Sequence, residues 1–158
     1  LVNSQNLGYL RVIFDEASTQ FFVKNLDAVK SQVDRSQIWR SLIYHVKLGR
    51  LSPVAYIDMV IAFLGKEREQ ATVTKVLTAA AEMLELFVTD EAVEKRYFEF
   101  LVSMAAGIEE TSLRGIVVDH VLGFLSDHKL AKAWFDAGKV DFSACLSDSK
   151  TVHQMNKV

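Results

Sequence analysis

One proline in 158 residues leaves few places where the chain is forced to break, and seven glycines add few more. Long helices are the economical explanation. A lone cysteine, Cys145, excludes an internal disulfide and with it a disulfide-stapled secreted scaffold. It fits a reducing compartment, and a cytoplasmic location is expected. Lys and Arg number 18 against 20 Asp and Glu, so the clustered cationic surplus that phosphate backbones require is missing and no nucleic-acid partner is expected. Charges interrupt every apolar run before about 20 residues, which excludes a membrane-spanning helix. What the chain has is apolar mass. Half of its residues are hydrophobic, and a chain of this length buries about 70% of its unfolded surface, enough for a core without metals or disulfides.

Both ends are expected to be cut. The chain opens at Leu1 without Met or a basic-then-apolar leader, and it stops at Val158 inside a helical pattern running from Ser147. Near the start, Leu7 to Phe14 is rich in β-branched and aromatic residues, with Leu10, Val12 and Phe14 alternating against Tyr9, Arg11 and Ile13. That alternation predicts a strand. Everything after Asp15 has helical period, so the strand has almost nothing to pair with and its partner sheet is expected upstream. The expected division is residues 1–16 as the end of an upstream β-domain or a connecting strand, and 17–158 as a helical-repeat domain truncated at its C-terminus.

The helical punctuation is dense. Phe21, Phe22, Leu26 and Val29 mark a first helix ending near Ser31, and Asp34 to Gln37 has the form of a capping box for the second. Ile38, Trp39, Leu42, Ile43 and Val46 give that helix an apolar face, and Gly49 is placed as its left-handed cap. Ser52-Pro53 opens a third helix, with Pro at the first position where its missing N–H costs nothing, and Gly65 is expected to end it. The run Lys66 to Glu69 is read as a solvated turn. A long helix then extends to about Val88, followed by Thr89 as the next N-cap with Asp90 and Glu91 in the first turn, and Gly107 as its end. Leu113 to Leu125 carry another, and Ser126 is expected to cap a shorter one through Leu130 and Trp134 to Gly138. Taken in pairs, the helices start near Asp34, Arg68 and Glu110, spaced 34 and 42 residues apart. That is the period of HEAT and armadillo hairpins, so the fold class expected is all-α, an α-α superhelix preceded by one short N-terminal β-strand. An irregular helical bundle is the alternative.

No catalytic constellation accompanies this architecture. The four histidines, His45, His120, His128 and His153, include no pair four residues apart and no His-Glu-x-x-His, so they are read as satisfied or solvent-facing rather than as metal ligands. Cys145 lies in Phe-Ser-Ala-Cys-Leu with nothing to lower its thiol pKa, and is read as a small hydrophobe. Glycine-rich phosphate loops and a Gly-x-Ser-x-Gly elbow are absent. The carboxylates of Asp90, Glu91, Glu109 and Glu110 flank helix starts, and Trp39 and Trp134 occupy apolar helical positions suited to core packing. On the residues alone, a stand-alone helical-repeat interaction module is one reading.

The N-terminal half offers another. Gly8-Tyr9-Leu-Arg-Val-Ile-Phe-Asp15 resembles the Gly-Tyr-x-x-Val-x-Tyr-Asp stretch at which zinc aminopeptidases of the aminopeptidase N and puromycin-sensitive type pass from a β-domain into their C-terminal helical domain. In order there follow Asp34-Arg35, Ile38-Trp39-Arg-Ser-Leu42, Gly49-Arg-Leu51-Ser52, Tyr56-Ile-Asp58, Leu64 and Glu67, with Ile-Trp similar to the bacterial branch. The motifs span Leu1 to Glu69. The resemblance implies a HEAT-like solenoid that closes as a bowl over the catalytic domain of its parent, enclosing a chamber for peptide substrates. It also implies that the catalytic zinc, its His-Glu-x-x-His helix and the Gly-x-Met-Glu-Asn peptide anchor belong to upstream domains of the same parent chain. No catalytic, cofactor-binding or metal residue is carried over to this segment.

Overall fold

The structure is a computed structural model that describes residues 11–127 and Ala133. Six α-helices account for most of that span: α1 (Glu16–Asn25), α2 (Gln32–Lys47), α3 (Pro53–Phe63), α4 (Gln70–Phe87), α5 (Glu91–Gly107) and α6 (Thr111–Asp127). Short 3₁₀ turns follow α1 at Leu26–Ala28 and α3 at Leu64–Lys66. The fold is all-α and of the helical-repeat type, with α2, α4 and α6 starting about 40 residues apart, within the hairpin period. Of the expected strand, Leu7 to Leu10 lie outside the described residues, and Arg11 to Phe14 form no strand ladder among them. The helices expected after Ser126 also lie outside, while Ser126 itself is inside α6 rather than at a cap.

The chain divides into two compact units, Leu1–Val88 and Thr89–Val158. In the first, α3 packs on α1, α2 and α4, and α2 packs on α4. Its interior is filled by Ile38, Trp39, Leu42, Tyr56, Ile57, Val60, Leu64, Val73, Val76, Leu77 and Leu84. These recur at helical spacing on α2, α3 and α4, so one face of each helix is removed from water. In the second unit α5 packs on α6. Phe98 stacks on Phe124 with ring centroids 5.4 Å apart, and Tyr97 meets the same ring at 5.8 Å.

The caps show which of two competing signals prevails. The Ser31 hydroxyl, not Asp34, caps α2 by accepting from the Asp34 N–H at 3.2 Å. Starting three residues earlier puts the Asp34 carboxylate in the first turn, where the helix dipole favours it. It also lets Arg35 Nη1 donate to the carbonyls of Val29 and Lys30, both at 3.0 Å. Asp90, not Thr89, caps α5, its carboxylate accepting from the Ala92 N–H at 2.9 Å. A charged acceptor makes the stronger bond there. Ser52 is the N-cap of α3 with Pro53 in the first turn, yet its side chain makes no capping bond, and its carbonyl takes the Tyr56 N–H at 3.0 Å.

Gly49 ends α2 as expected. Its φ of 68° lies in the left-handed region where a Cβ is strained. The N–H of Gly49 reaches the Val46 carbonyl and that of Arg50 reaches the His45 carbonyl, both at 2.9 Å, the paired bonds of a Schellman turn. Gly65 and Gly107 do not repeat this. Gly65 sits in the 3₁₀ turn after α3, and Gly107 is the last residue of α5 with a right-handed backbone.

Candidate functional site

Three polar constellations lie in the first unit, and each is assembled from separate elements. The most deeply buried centres on Glu67, only 2% exposed at the end of the turn that follows α3. Arg35 on α2 grips its carboxylate with two bonds, Nε to Oε1 at 2.8 Å and Nη2 to Oε2 at 3.2 Å. One turn along the same helix, the Trp39 indole N–H donates to Oε1 at 3.2 Å. A run read as solvated therefore contains the most buried carboxylate among the described residues, and Lys66, Arg68 and Glu69 around it do not share that burial. The sequence did hold a signal for this. Residues four apart on a helix share a face, so Arg35 and Trp39 present two donors side by side that call for one acceptor. Fork-shaped pairing is geometrically specific, and here it ties α2 to the turn between α3 and α4.

His45 holds the second constellation. It is a buried residue of α2, and its Nε2 accepts from the Phe14 N–H at 3.0 Å. Its Nδ1 lies 3.5 Å from Thr19 Oγ1, whose own proton goes to the Asp15 carbonyl at 2.8 Å. An accepting Nε2 places the ring proton on Nδ1, facing the lone pairs of Thr19. The extended residues before α1 are thus fastened to α2, with the Phe14 ring on Phe22 at 4.9 Å and Arg11 over the Tyr44 ring at 4.9 Å. Burial lowers the His45 pKa, the nearby Arg50 charge lowers it further, and Glu16 opposes both.

The sign of the consequence follows from which state holds more protons. A histidine held neutral in the fold binds its proton more readily when unfolded, so its contribution is complete above the unfolded pKa near 6.5 and is lost as pH falls toward the folded value. Urea titrations between pH 8 and 5 are expected to show the unfolding midpoint falling on the acid side. In His45→Gln, whose amide oxygen can still accept from Phe14, that fall is expected to be smaller. Equal acid sensitivity in the two proteins would assign it to other groups.

The third constellation is a cleft of about 280 Å³ between α2 and α4, lined by Ser36, Trp39, Arg40, Ile43, Glu69, Ala71, Thr72, Lys75 and Val76. The Thr72 hydroxyl donates to the Glu69 carboxylate and lies 2.9 Å from Ser36 Oγ. Thr72 has one proton, and the carboxylate is the stronger acceptor, so the Ser36 hydroxyl is the donor between the two alcohols. Arg40 is half-buried, and its Nε is enclosed without an acceptor among the described residues.

The remaining candidates stay apart from these. His120 is half-buried on α6, its pKa lowered by burial and raised by Asp119. Glu110 precedes α6 and accepts from the Ser112 hydroxyl at 2.6 Å, while its carbonyl takes the Arg114 N–H. That makes it a helix-start residue, as Asp90 is for α5. Trp39 is a core residue, meeting Tyr56 edge-on at 6.0 Å. His128, Trp134, Cys145 and His153 lie outside the described residues. Among the described residues no group of three or more His, Cys, Asp or Glu could hold a metal ion. None of their helices is long and apolar enough to cross a membrane.

Comparison with known families gives a match over residues 1–152 to the family described as ERAP1-like C-terminal domain. No curated protein and no solved structure matches the chain.

Proposed function

The chain belongs to the ERAP1-like C-terminal domain family, the C-terminal helical domain of zinc aminopeptidases, and from that premise we propose that it encloses the active-site chamber of its parent enzyme and governs how peptides reach it. The observation that carries the reading is the extent of the match, nearly the whole chain. The Arg35, Trp39 and Glu67 positions of the resembling motifs support it by forming one buried network, which gives those residues a physical reason to occur together.

In this reading the parent is a zinc-dependent metallopeptidase that hydrolyses N-terminal residues from peptides. Its catalytic and β-domains lie upstream of this segment and are its partners, and a bacterial-branch, cytoplasmic enzyme is our proposal from the Ile38-Trp39 pair and the lone Cys145. We assign the zinc to the upstream domain, as the resemblance of the N-terminal motifs implies, and no step is routed through it here. The segment contributes walls rather than reacting groups.

Aminoacyl fluorogenic substrates test the reading directly. The parent is expected to release the fluorophore, to stop when zinc is chelated and to resume when zinc is restored, whereas the 158-residue chain alone shows no turnover. Turnover by the isolated chain would overturn the division of labour. A parent transcript without His-Glu-x-x-His upstream of Leu1 would overturn the aminopeptidase reading and favour the interaction module.

A further inference from the structure

We propose that His45 is an acid-released latch: its neutral ring holds Arg11 to Phe14 on α2, and protonation lets that segment go while the helices of the unit stay folded. The proposal does not depend on the aminopeptidase reading. It begins from how little else fastens the segment. Arg11 to Phe14 make no backbone–backbone hydrogen bond among the described residues, and of the four only Val12 is buried. Phe14 is half-buried against Phe22 and its ring lies 5.9 Å from that of His45, while Arg11 reaches over Tyr44, the residue before His45. Among the described residues, the main-chain bond that ties the segment to α2 is the one from the Phe14 N–H to His45 Nε2 at 3.0 Å.

That bond needs a lone pair on Nε2, and a protonated imidazole has none. A proton added there sets one N–H donor against another, at a residue only 1% exposed. The other nitrogen gives no relief, because Nδ1 already carries the proton that faces Thr19, and Thr19 belongs to α1 rather than to the segment. Nor do the surroundings favour the cation. Burial disfavours it first, Arg50 in the turn after α2 adds to that, and Glu16 on α1 opposes both. The Asp15 carboxylate is held by the Ser18 N–H, Arg11 brings a further positive charge to Tyr44, and Asp58, the one charged residue of α3, is not among the groups that act on the ring. The closed form therefore takes up a proton less readily than the open one. Acid favours release by up to about tenfold for each pH unit below the ordinary histidine value of 6.5, until the closed ring itself titrates. Release is local because α1 keeps its own start: the bonds from Ser18 and Thr19 to Asp15 do not pass through His45. The chain ahead of α1 thus moves with α2 at neutral pH and independently of it in acid.

Amide exchange of the 158-residue chain, read residue by residue by NMR at pH 7.5 and 5.5 with the intrinsic rate at each pH divided out, tests the latch. Phe14 protection is expected to fall about five- to tenfold at the lower pH, while that of Leu42 within α2 holds. His45→Gln keeps an acceptor for Phe14 and takes up no proton in this range, so its Phe14 protection should be the same at both values. The His45 Cε1 proton, followed in the unsubstituted chain, should titrate over the pH range in which Phe14 is released, a readout that requires no variant to fold. A parallel loss at Leu42 would mean that the whole unit unfolds. Unchanged Phe14 protection would mean that the bond does not depend on the ring's charge, and an equal loss in His45→Gln would assign the effect to another group. Each of these results would overturn the latch.

Discussion

Replacing Glu67 by alanine is expected to lower the unfolding free energy by about 3–5 kcal/mol, the usual result of removing one member of a buried ion pair. The size follows from what is left behind. Glu67 is 2% exposed, so water cannot take its place freely, and its removal strands Arg35 Nε, Arg35 Nη2 and the Trp39 indole N–H together. Glu67→Gln keeps the volume and one acceptor oxygen, but it turns an NH₂ toward donors and should cost less than alanine and still more than about 1 kcal/mol. Arg35→Met with Glu67→Leu provides the informative comparison. Removing both charges for apolar groups avoids the stranded guanidinium and leaves only the Trp39 indole N–H without its acceptor, so the double variant should be more stable than Glu67→Ala alone. Urea unfolding followed by far-ultraviolet circular dichroism reads all three. A Glu67→Ala midpoint equal to that of the unsubstituted chain would mean that the carboxylate is solvated.

In the second unit two neighbouring residues should respond with opposite sign. Phe98→Ala is expected to cost about 3–5 kcal/mol, because a fully buried ring stacked at 17° on Phe124 is replaced by a cavity. Tyr97→Phe should leave stability unchanged or raise it by about 1 kcal/mol. The Tyr97 ring contacts with Phe100 and Phe124 survive that change, and the hydroxyl it removes is buried without a partner among the described residues. Burial also raises the phenol's pKa well above its ordinary value, since no bond or charge supports the phenolate. The phenol is therefore neutral throughout the range in which the fold is studied. Thermal melts of the two variants suffice. Marked destabilisation by Tyr97→Phe would show that the hydroxyl has an acceptor, and a mild Phe98→Ala would show that the unit has no firm core.

Much of this protein was legible along the chain because the signals are local. Helical period placed the buried faces of α2, α3 and α4, since which residues share a face depends only on 3.6 residues per turn. Gly49 and Pro53 marked a helix end and a helix start because each has a backbone constraint of its own. The motifs from Gly8 to Glu67 carried the family, which the match over residues 1–152 bears out. Caps were less certain. Ser31 and Asp34 are both competent, as are Thr89 and Asp90, and the choice turns on bonds that the surrounding packing allows, such as Arg35 reaching Val29 and Lys30.

Burial of charge was decided only in three dimensions. Lys66 to Glu69 has the composition of a solvated turn, yet Glu67 is buried because donors 32 and 28 residues earlier converge on it. The same distance in sequence hides the His45 clamp, whose partner Phe14 is 31 residues away. It hides the cleft as well, since its lining residues come from two helices, Ser36 to Ile43 from α2 and Ala71 to Val76 from α4. Periodicity tells which face of a helix leaves water. Whether a charged group on that face is satisfied depends on partners that only the packing of distant segments brings within a hydrogen bond's reach, and in this protein that packing separates a structural network from a candidate site.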